Sequence, residues 1–130
     1  MCRSKLIPST ESSIVVIIIA GYIDFNDEAG RDLAVEKSRP LQQATRDDEA
    51  GCAAYCFAAD PCVANRVQVY ELWDDEPSLA AHFDHQNYFD MRNMLGEIGL
   101  AGTDNKKYRC DLAEPVYDDT RTPRADFFTA

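Results

Sequence analysis

The chain has 130 residues, 45% of them apolar, and a formal net charge of −10. That length suits one domain with a real hydrophobic core. The charge argues against nucleic acid or an anionic membrane surface as partner, because both repel an acidic chain. The apolar run Ile14–Ile23 is shorter than the roughly 20 residues that span a bilayer. Polar residues before it, and no small-x-small site after it, do not suit a signal peptide. A cytoplasmic location is therefore expected.

In chain order, residues 1–12 read as a polar, frayed arm. Ile14–Asp24 is β-branched and reads as a first strand, with apolar side chains at odd and even positions alike. A helix follows from near Glu28, capped by Asn26 or Asp27. Ala29, Leu33, Leu41 and Ala44 carry its apolar stripe to about Arg46, and Pro40 is expected to kink or interrupt it. Gly51 ends the next turn. Cys52 to Ala59 is a second strand, with Cys52, Ala54, Cys56 and Ala58 on one face and Ala53, Tyr55, Phe57 and Ala59 on the other. Asp60-Pro61 starts a turn.

The third strand, "NRVQVYELWD", places Val67, Val69, Glu71 and Trp73 on one face and Gln68, Tyr70 and Leu72 on the other. Acids and Pro77 open a second helix. A shorter helical piece around Phe89–Ile98 follows, then a glycine-rich connection at Gly96, Gly99 and Gly102, then a fourth strand in "KKYRCDLAEPVY". The expected organisation is an arm over 1–12, a domain over 13–117 and a tail over 118–130 that is polar until Phe127–Phe128.

The order β-α-β-β-α-β specifies the α+β, ferredoxin-like arrangement: a four-stranded antiparallel sheet with its helices on one face. Strands one and two are apolar on the other face too. An apolar sheet face in water is costly, and the simplest cover is the same face of a second copy across a two-fold axis. A homodimer through the sheet face is expected. The alternative cover is the Phe127–Phe128 tail or the N-terminal arm.

Five cysteines lie at 2, 52, 56, 62 and 110, an odd number with no CxxC. On a strand, Cys52 and Cys56 have Cα atoms about 13 Å apart, too far for a disulfide. They read as small buried hydrophobes rather than ligands or redox thiols.

The segment from Thr45 to Phe89 resembles the antibiotic biosynthesis monooxygenase (quinol monooxygenase-like) family. The likeness rests on Glu49-Ala50-Gly51-Cys52, Tyr55, Asp60-Pro61, Tyr70-Glu71-Leu72-Trp73, Leu79 and His82-Phe83. With looser matching it runs from about Ile14 to Tyr117. The resemblance implies a dimeric α+β barrel in which two sheets face each other. It also implies oxygenation of phenolic, anthrone- or quinol-like aromatics by O2 with no metal or flavin, so no cofactor is expected. One place departs from the family's pattern: where members often carry a second His before a Phe, this chain has Tyr88-Phe89. Only Met91, Arg92 and Met94 stand where the heme-degrading relatives place a ligating His, which counts against heme.

Such chemistry needs a flat apolar slot, a base and hydrogen bonds, with little water. The space between helices and sheet is the expected slot. His82, on the inward side of the second helix, is the candidate base. Trp73 is the candidate ring platform, and Tyr88 and Arg92, four apart on a helix, are candidates to steady an oxygen. Glu71, Tyr55 and Phe83 complete the expected binding residues, with Glu71 expected to bond His82 or a helix terminus. His82-x-x-His85 lacks a third ligand, so no metal site is expected. The acid runs Asp47-Asp48-Glu49 and Asp74-Asp75-Glu76 read as caps and solvated turns. Two other functions fit the same residues: a non-catalytic binder of a small hydrophobic metabolite, or an isomerase or decarboxylase on this fold.

Overall fold

Ten residues rich in isoleucine, Val16–Phe25, form β1, an inner strand of the sheet. The structure, a computed structural model, describes residues 15–129. After β1 come α1 (Glu28–Asp48), β2 (Cys52–Ala59), β3 (Arg66–Trp73), α2 (Glu76–Phe83), α3 (Gln86–Ile98) and β4 (Leu100–Cys110). The sheet order is β2-β3-β1-β4, all neighbours antiparallel. This is the ferredoxin-like α+β arrangement, with its second helical segment broken in two. The expected arm over 1–12 and Cys2 lie outside the described residues. No helix among the described residues is long and apolar enough to cross a membrane.

Each helix starts on a side chain that accepts one of its free N–H groups. Asp27 accepts from Gly30 N at 2.7 Å, Asp75 from Ser78 N at 2.8 Å, and His85 from Asn87 N at 3.0 Å. The His85 cap starts α3 at Gln86, three residues before the expected Phe89. Gly99, at φ 94°, ends α3, and β4 begins at once at Leu100 rather than near Lys106. The expected glycine-rich connection is thus divided among a helix, its cap and a strand.

Pro40 does not interrupt α1. Both Pro40 and Glu36, whose carbonyl the proline cannot bond, face solvent, where water replaces the lost partner. The inward stripe of α1 is also not the expected one. Leu33 is exposed, and the buried positions are Arg31, Ala34, Ser38, Gln42 and Thr45. Polar groups face inward because α1 serves backbone. The Gln42 amide donates to Phe57 O at 3.0 Å and accepts from Phe57 N at 2.9 Å, and Arg46 Nε donates to Tyr55 O at 2.8 Å. These bonds cap the outer edge of β2, which otherwise invites another strand. Arg31 Nη1 reaches the carbonyls of Asp60, Val63 and Arg66 and pins the β2–β3 turn.

Residues paired across strands share a face. Ile17, Ile23, Tyr55, Phe57, Val67, Val69 and Trp73 face the helices and form the core with Ala34, Leu79, Met91 and Leu95. The register slips between Cys52 and Ala54, a bulge that puts Cys52 on the core side with Trp73. Cys52 and Cys56 therefore do not share a face. Cys52 is half-buried and Cys56 is exposed, so the expectation of a buried cysteine fails for Cys56.

The opposite face carries Val16, Ile18, Ala20 and Tyr22 of β1 beside Leu72 and Tyr70 of β3, Ala54, Cys56 and Ala58 of β2, and Tyr108 of β4. Val16 and Leu72 (0% exposed) are closed off from solvent within the single chain. Tyr108 is 51% exposed. Tyr108 shares the Ile18–Leu72 row at the β4 edge, and in the rows beyond it Cys56, Ala58 and Gln68 are exposed, so the face is shielded near Val16 and Leu72 and open along the β4 edge and toward Tyr22. After β4, the chain turns back on itself. Tyr117 bridges Pro123, and Glu114 accepts from the N–H groups of Phe128 and Thr129.

Candidate functional site

A cavity of about 360 Å³ opens between the sheet and the α2–α3 layer. Its inner wall is made of buried side chains: Ile23 of β1, Tyr55 and Phe57 of β2, Glu71 of β3, His82 of α2, and Met91 and Leu95 of α3. Its rim is exposed: Phe83, Arg92, Gly96, Leu100 and Asn105. The half-buried Tyr88 stands between wall and rim. The volume lies in the range of small-molecule sites, and an apolar wall with a few polar groups is their usual lining.

Two glycines let the surrounding elements come this close. A Cβ on Gly51 would sit 2.1 Å from Ser78 Oγ, so only glycine lets α2 settle on the α1–β2 turn. A Cβ on Gly21 would sit 2.0 Å from the Asp104 carbonyl, where β4 crosses β1. The first contact positions His82 and the second positions Asn105.

His82 is 2% exposed, and its Nδ1 pairs with Glu49 Oε1 at 2.8 Å. A carboxylate only accepts, so Nδ1 carries the hydrogen and Nε2 keeps its lone pair. The other Glu49 oxygen accepts from Asn87 Nδ2 at 3.3 Å. Burial holds the His82 pKa below the ordinary imidazole value, and the Glu49 hydrogen bond and charge pull the other way. Burial wins, so the ring is neutral at neutral pH and able to take a proton.

Glu71 is 7% exposed and accepts the Trp73 Nε1 hydrogen at 2.9 Å. Its expected bond to His82 is not formed; Glu49 takes that place. Burial raises its pKa to about 7, the Trp73 bond opposes this, and the Glu49 charge adds to it. Trp73 is 0% exposed and does not line the cavity. It lies behind the wall, its ring centroid 4.5 Å from that of His82. The expected ring platform is thus a backing for His82 and Glu71. Tyr88 and Tyr55 meet the His82 ring edge-on, at 5.4 Å and 5.6 Å. Burial pushes the Tyr55 hydroxyl well above its ordinary pKa, so it stays protonated.

Six of the seven residues singled out in the sequence meet at this cavity: His82, Tyr88, Glu71, Arg92, Tyr55 and Phe83. Glu49 and Asn87 were not among them. One signal pointed to Glu49: Asp47-Asp48-Glu49 puts three acids at the C-terminal end of a helix, where the dipole favours cations. His85 is the cap of α3, so it does not share a helix with His82. Among the described residues no group of three or more His, Cys, Asp or Glu is arranged to hold a metal ion.

A model of the family described as "Antibiotic biosynthesis monooxygenase" matches residues 16–93, from β1 into α3 and including Glu49, Glu71 and His82. No curated protein matches the chain. Several solved structures share its fold. A protein from Caulobacter crescentus CB15, provisionally named an antibiotic biosynthesis monooxygenase, superposes with a TM-score of 0.64 at 16% identity, covering 79% of this chain and 93% of that one. One from Deinococcus radiodurans, named in the same provisional way, gives 0.62 at 20% identity over 78% and 99%. A conserved protein from Methanosarcina mazei Go1 gives 0.64 at 21% identity over 76% and 95%. At these identities the structures speak for the fold alone. The family model covers more than half of the chain, which therefore belongs to the antibiotic biosynthesis monooxygenase family.

Proposed function

We propose that this protein is a monooxygenase that oxidises a planar phenolic, anthrone- or quinol-like aromatic with O2. The observation that carries the reading is the buried His82 imidazole, tied through Nδ1 to buried Glu49, in the inner wall of an apolar cavity. A ring enters past Phe83 and Leu100 and lies against Tyr55, Phe57 and Met91. His82 Nε2 takes a proton from the ring carbon or phenolic oxygen, and the anion gives an electron to O2. Tyr88 and Arg92 hold the oxygen that carries the charge. For an anthrone the sum is CH2 + O2 giving C=O + H2O. The apolar wall limits water and so protects the anion from reprotonation, while Glu49 beside His82, and Tyr88 and Arg92 beside the ring oxygen, offset the cost of forming two charges there.

We further propose a homodimer through the open part of the outer sheet face, the Cys56–Tyr70–Ala20 row with Tyr108 beside it at the β4 edge. The chain itself shields only the part around Val16 and Leu72, which supports a second copy over the rest.

The test is O2 uptake with a panel of anthrones and hydroquinones, metal chelated, after native mass spectrometry for bound flavin or heme. Turnover by the wild type and a loss of about 100-fold or more in His82→Ala are expected. Full turnover by His82→Ala removes the assigned base. Tight binding of the panel with neither O2 uptake nor product favours a metabolite-binding protein, and a rearranged or decarboxylated product favours the other enzymes on this fold.

A further inference from the structure

The oxidation proposed above moves protons at two different moments. The first leaves the substrate before O2 reacts. The second must reach the peroxide anion formed when O2 adds, or its O–O bond expels a poor leaving group. His82 serves the first and is then an imidazolium, stabilised by Glu49 at 2.8 Å. Because Glu49 holds that charge on the ring, a second group on the same cavity that starts with a proton can serve the later moment while His82 keeps its own.

We propose that Glu71 is this second proton carrier, a catalytic residue whose role rests on the oxygenase reading. Its carboxyl gives a proton to the distal peroxide oxygen, leaving C–O–OH and a carboxylate. The carboxylate then takes the remaining hydrogen from the ring carbon as the C=O bond forms, the O–O bond breaks and hydroxide leaves. Hydroxide collects the proton held on His82 as water, and both groups return to their starting states.

Three observations converge on Glu71. It lines the same cavity as His82 but from a different element, β3 rather than α2. Trp73 Nε1 donates to Oε1 and so directs the carboxyl hydrogen to Oε2. Among the described residues no lysine or arginine forms an ion pair that would hold it as a carboxylate. A Gln would accept from Trp73 as well and cost less to bury, so what Glu adds here is a transferable proton. The raised pKa, about 7, agrees with a carboxyl that both holds and releases a proton near neutrality. The ionisable groups around it are Cys52 and Tyr55 on β2, Glu49 at the end of α1, His82 on α2, and Tyr88 and Arg92 on α3, with Lys107 of β4 on the same sheet face. Glu49 opposes ionisation of Glu71.

The test separates the two proton steps in full-length wild type, Glu71→Gln and His82→Ala. Anthrone anion formation is followed by absorbance without O2, and O2 uptake is followed separately. In Glu71→Gln, anion formation should stay within about threefold of wild type while uptake falls roughly 100-fold or more; His82→Ala should lose both. Infrared titration of the wild type should show a protonated carboxyl band that Glu71→Gln removes. Uptake by Glu71→Gln within about threefold of wild type overturns the role alone, as does a parallel fall in both steps, or the absence of the band. No uptake by the wild type overturns the oxygenase reading and this role with it.

Discussion

Glu49 and His82 stand 33 residues apart in the chain and meet at 2.8 Å, both nearly closed off from solvent. The bond joins the end of α1 to the last turn of α2, so it is both a fold contact and a setting for the imidazole. Gly51, two residues after Glu49, lets Ser78 of α2 pack against this turn, where a Cβ would strike it. Glu49→Gln keeps a hydrogen-bond partner for Nδ1 but removes the charge that favours the imidazolium. The His82 pKa, already lowered by burial, should fall further. Turnover should drop by about tenfold or more. An NMR titration of the His82 ring reads the first effect, and an unchanged or higher pKa would show that Glu49 does not set it.

Gly51→Ala should destabilise the protein by roughly 1–3 kcal/mol, because its Cβ falls on Ser78 Oγ and Cβ and α2 must shift. Since α2 carries His82, activity should fall with stability. Ser78→Gly in the same chain removes both atoms struck and should recover part of each loss, less about 1 kcal/mol for glycine in a helix. Urea denaturation of the two single variants and the double variant measures this. Additive losses would mean that the steric clash is not the cause.

The pH dependence of stability should carry the mark of Glu71. Its pKa is raised on folding from 4.5 to about 7. The folded chain therefore binds more protons than the unfolded chain between these values. The stability this contributes is complete below pH 4.5 and is lost as pH rises through 7. The loss is on the order of 3 kcal/mol. His82, whose folded pKa is lowered, works the other way: its contribution is present above about pH 6.5 and is lost on acidification. Glu71→Gln removes the first trend and keeps the second. Relative to wild type it should be more stable at pH 8 than at pH 4.5, by denaturant unfolding at both. A stability difference that does not change with pH would mean that Glu71 titrates alike in the folded and unfolded chain.

Strands β1 and β3 were legible from residue alternation, whereas β4 runs Leu100–Cys110 and not through the expected Lys106–Tyr117. Val67, Val69, Glu71 and Trp73 share the helix-facing side as their period of two requires, and β1 fell within two residues of its predicted ends. The α1 stripe was not legible, because hydropathy looks for apolar groups where this helix buries Arg31, Ser38 and Gln42 to serve strand backbone. The Cys52–Ala54 bulge was hidden for a related reason: a run of small residues carries no mark of a register slip. At the site, residue type sufficed to single out His82 and Glu71. Their partners depend on which loop ends meet, and that is set by Gly51 packing on Ser78 rather than by any local pattern.

Gln42 satisfies both edge groups of Phe57 from inside the core. Gln42→Ala leaves an N–H and a C=O unpaired at the β2 edge, a cost of about 1–3 kcal/mol. The bared edge is also a template for another chain. The variant should unfold at lower urea and aggregate faster on mild heating, by light scattering. A variant that loses stability without added scattering would show that other groups, Arg46 among them, suffice to guard the edge.

Ala20 tests the proposed dimer with little harm to the single chain. It lies on the outer sheet face in the inner strand β1, between Tyr70 of β3 and Lys106 of β4. In Ala20→Glu the new carboxylate has Lys106 across the strand pair, an arrangement a sheet tolerates or favours. Against a second copy of the same face it becomes a charge shut away from water, near its own symmetry mate, and that is expensive. Sedimentation should find the wild type as a pair at micromolar concentration and Ala20→Glu as a folded single chain. The His82 cavity lies on the opposite side of the sheet, so any loss of turnover in the variant would report on the dimer rather than on damaged site residues. A wild type that sediments as one chain would mean that the face needs no partner and that its exposed part, Tyr108 included, stands in water as it is.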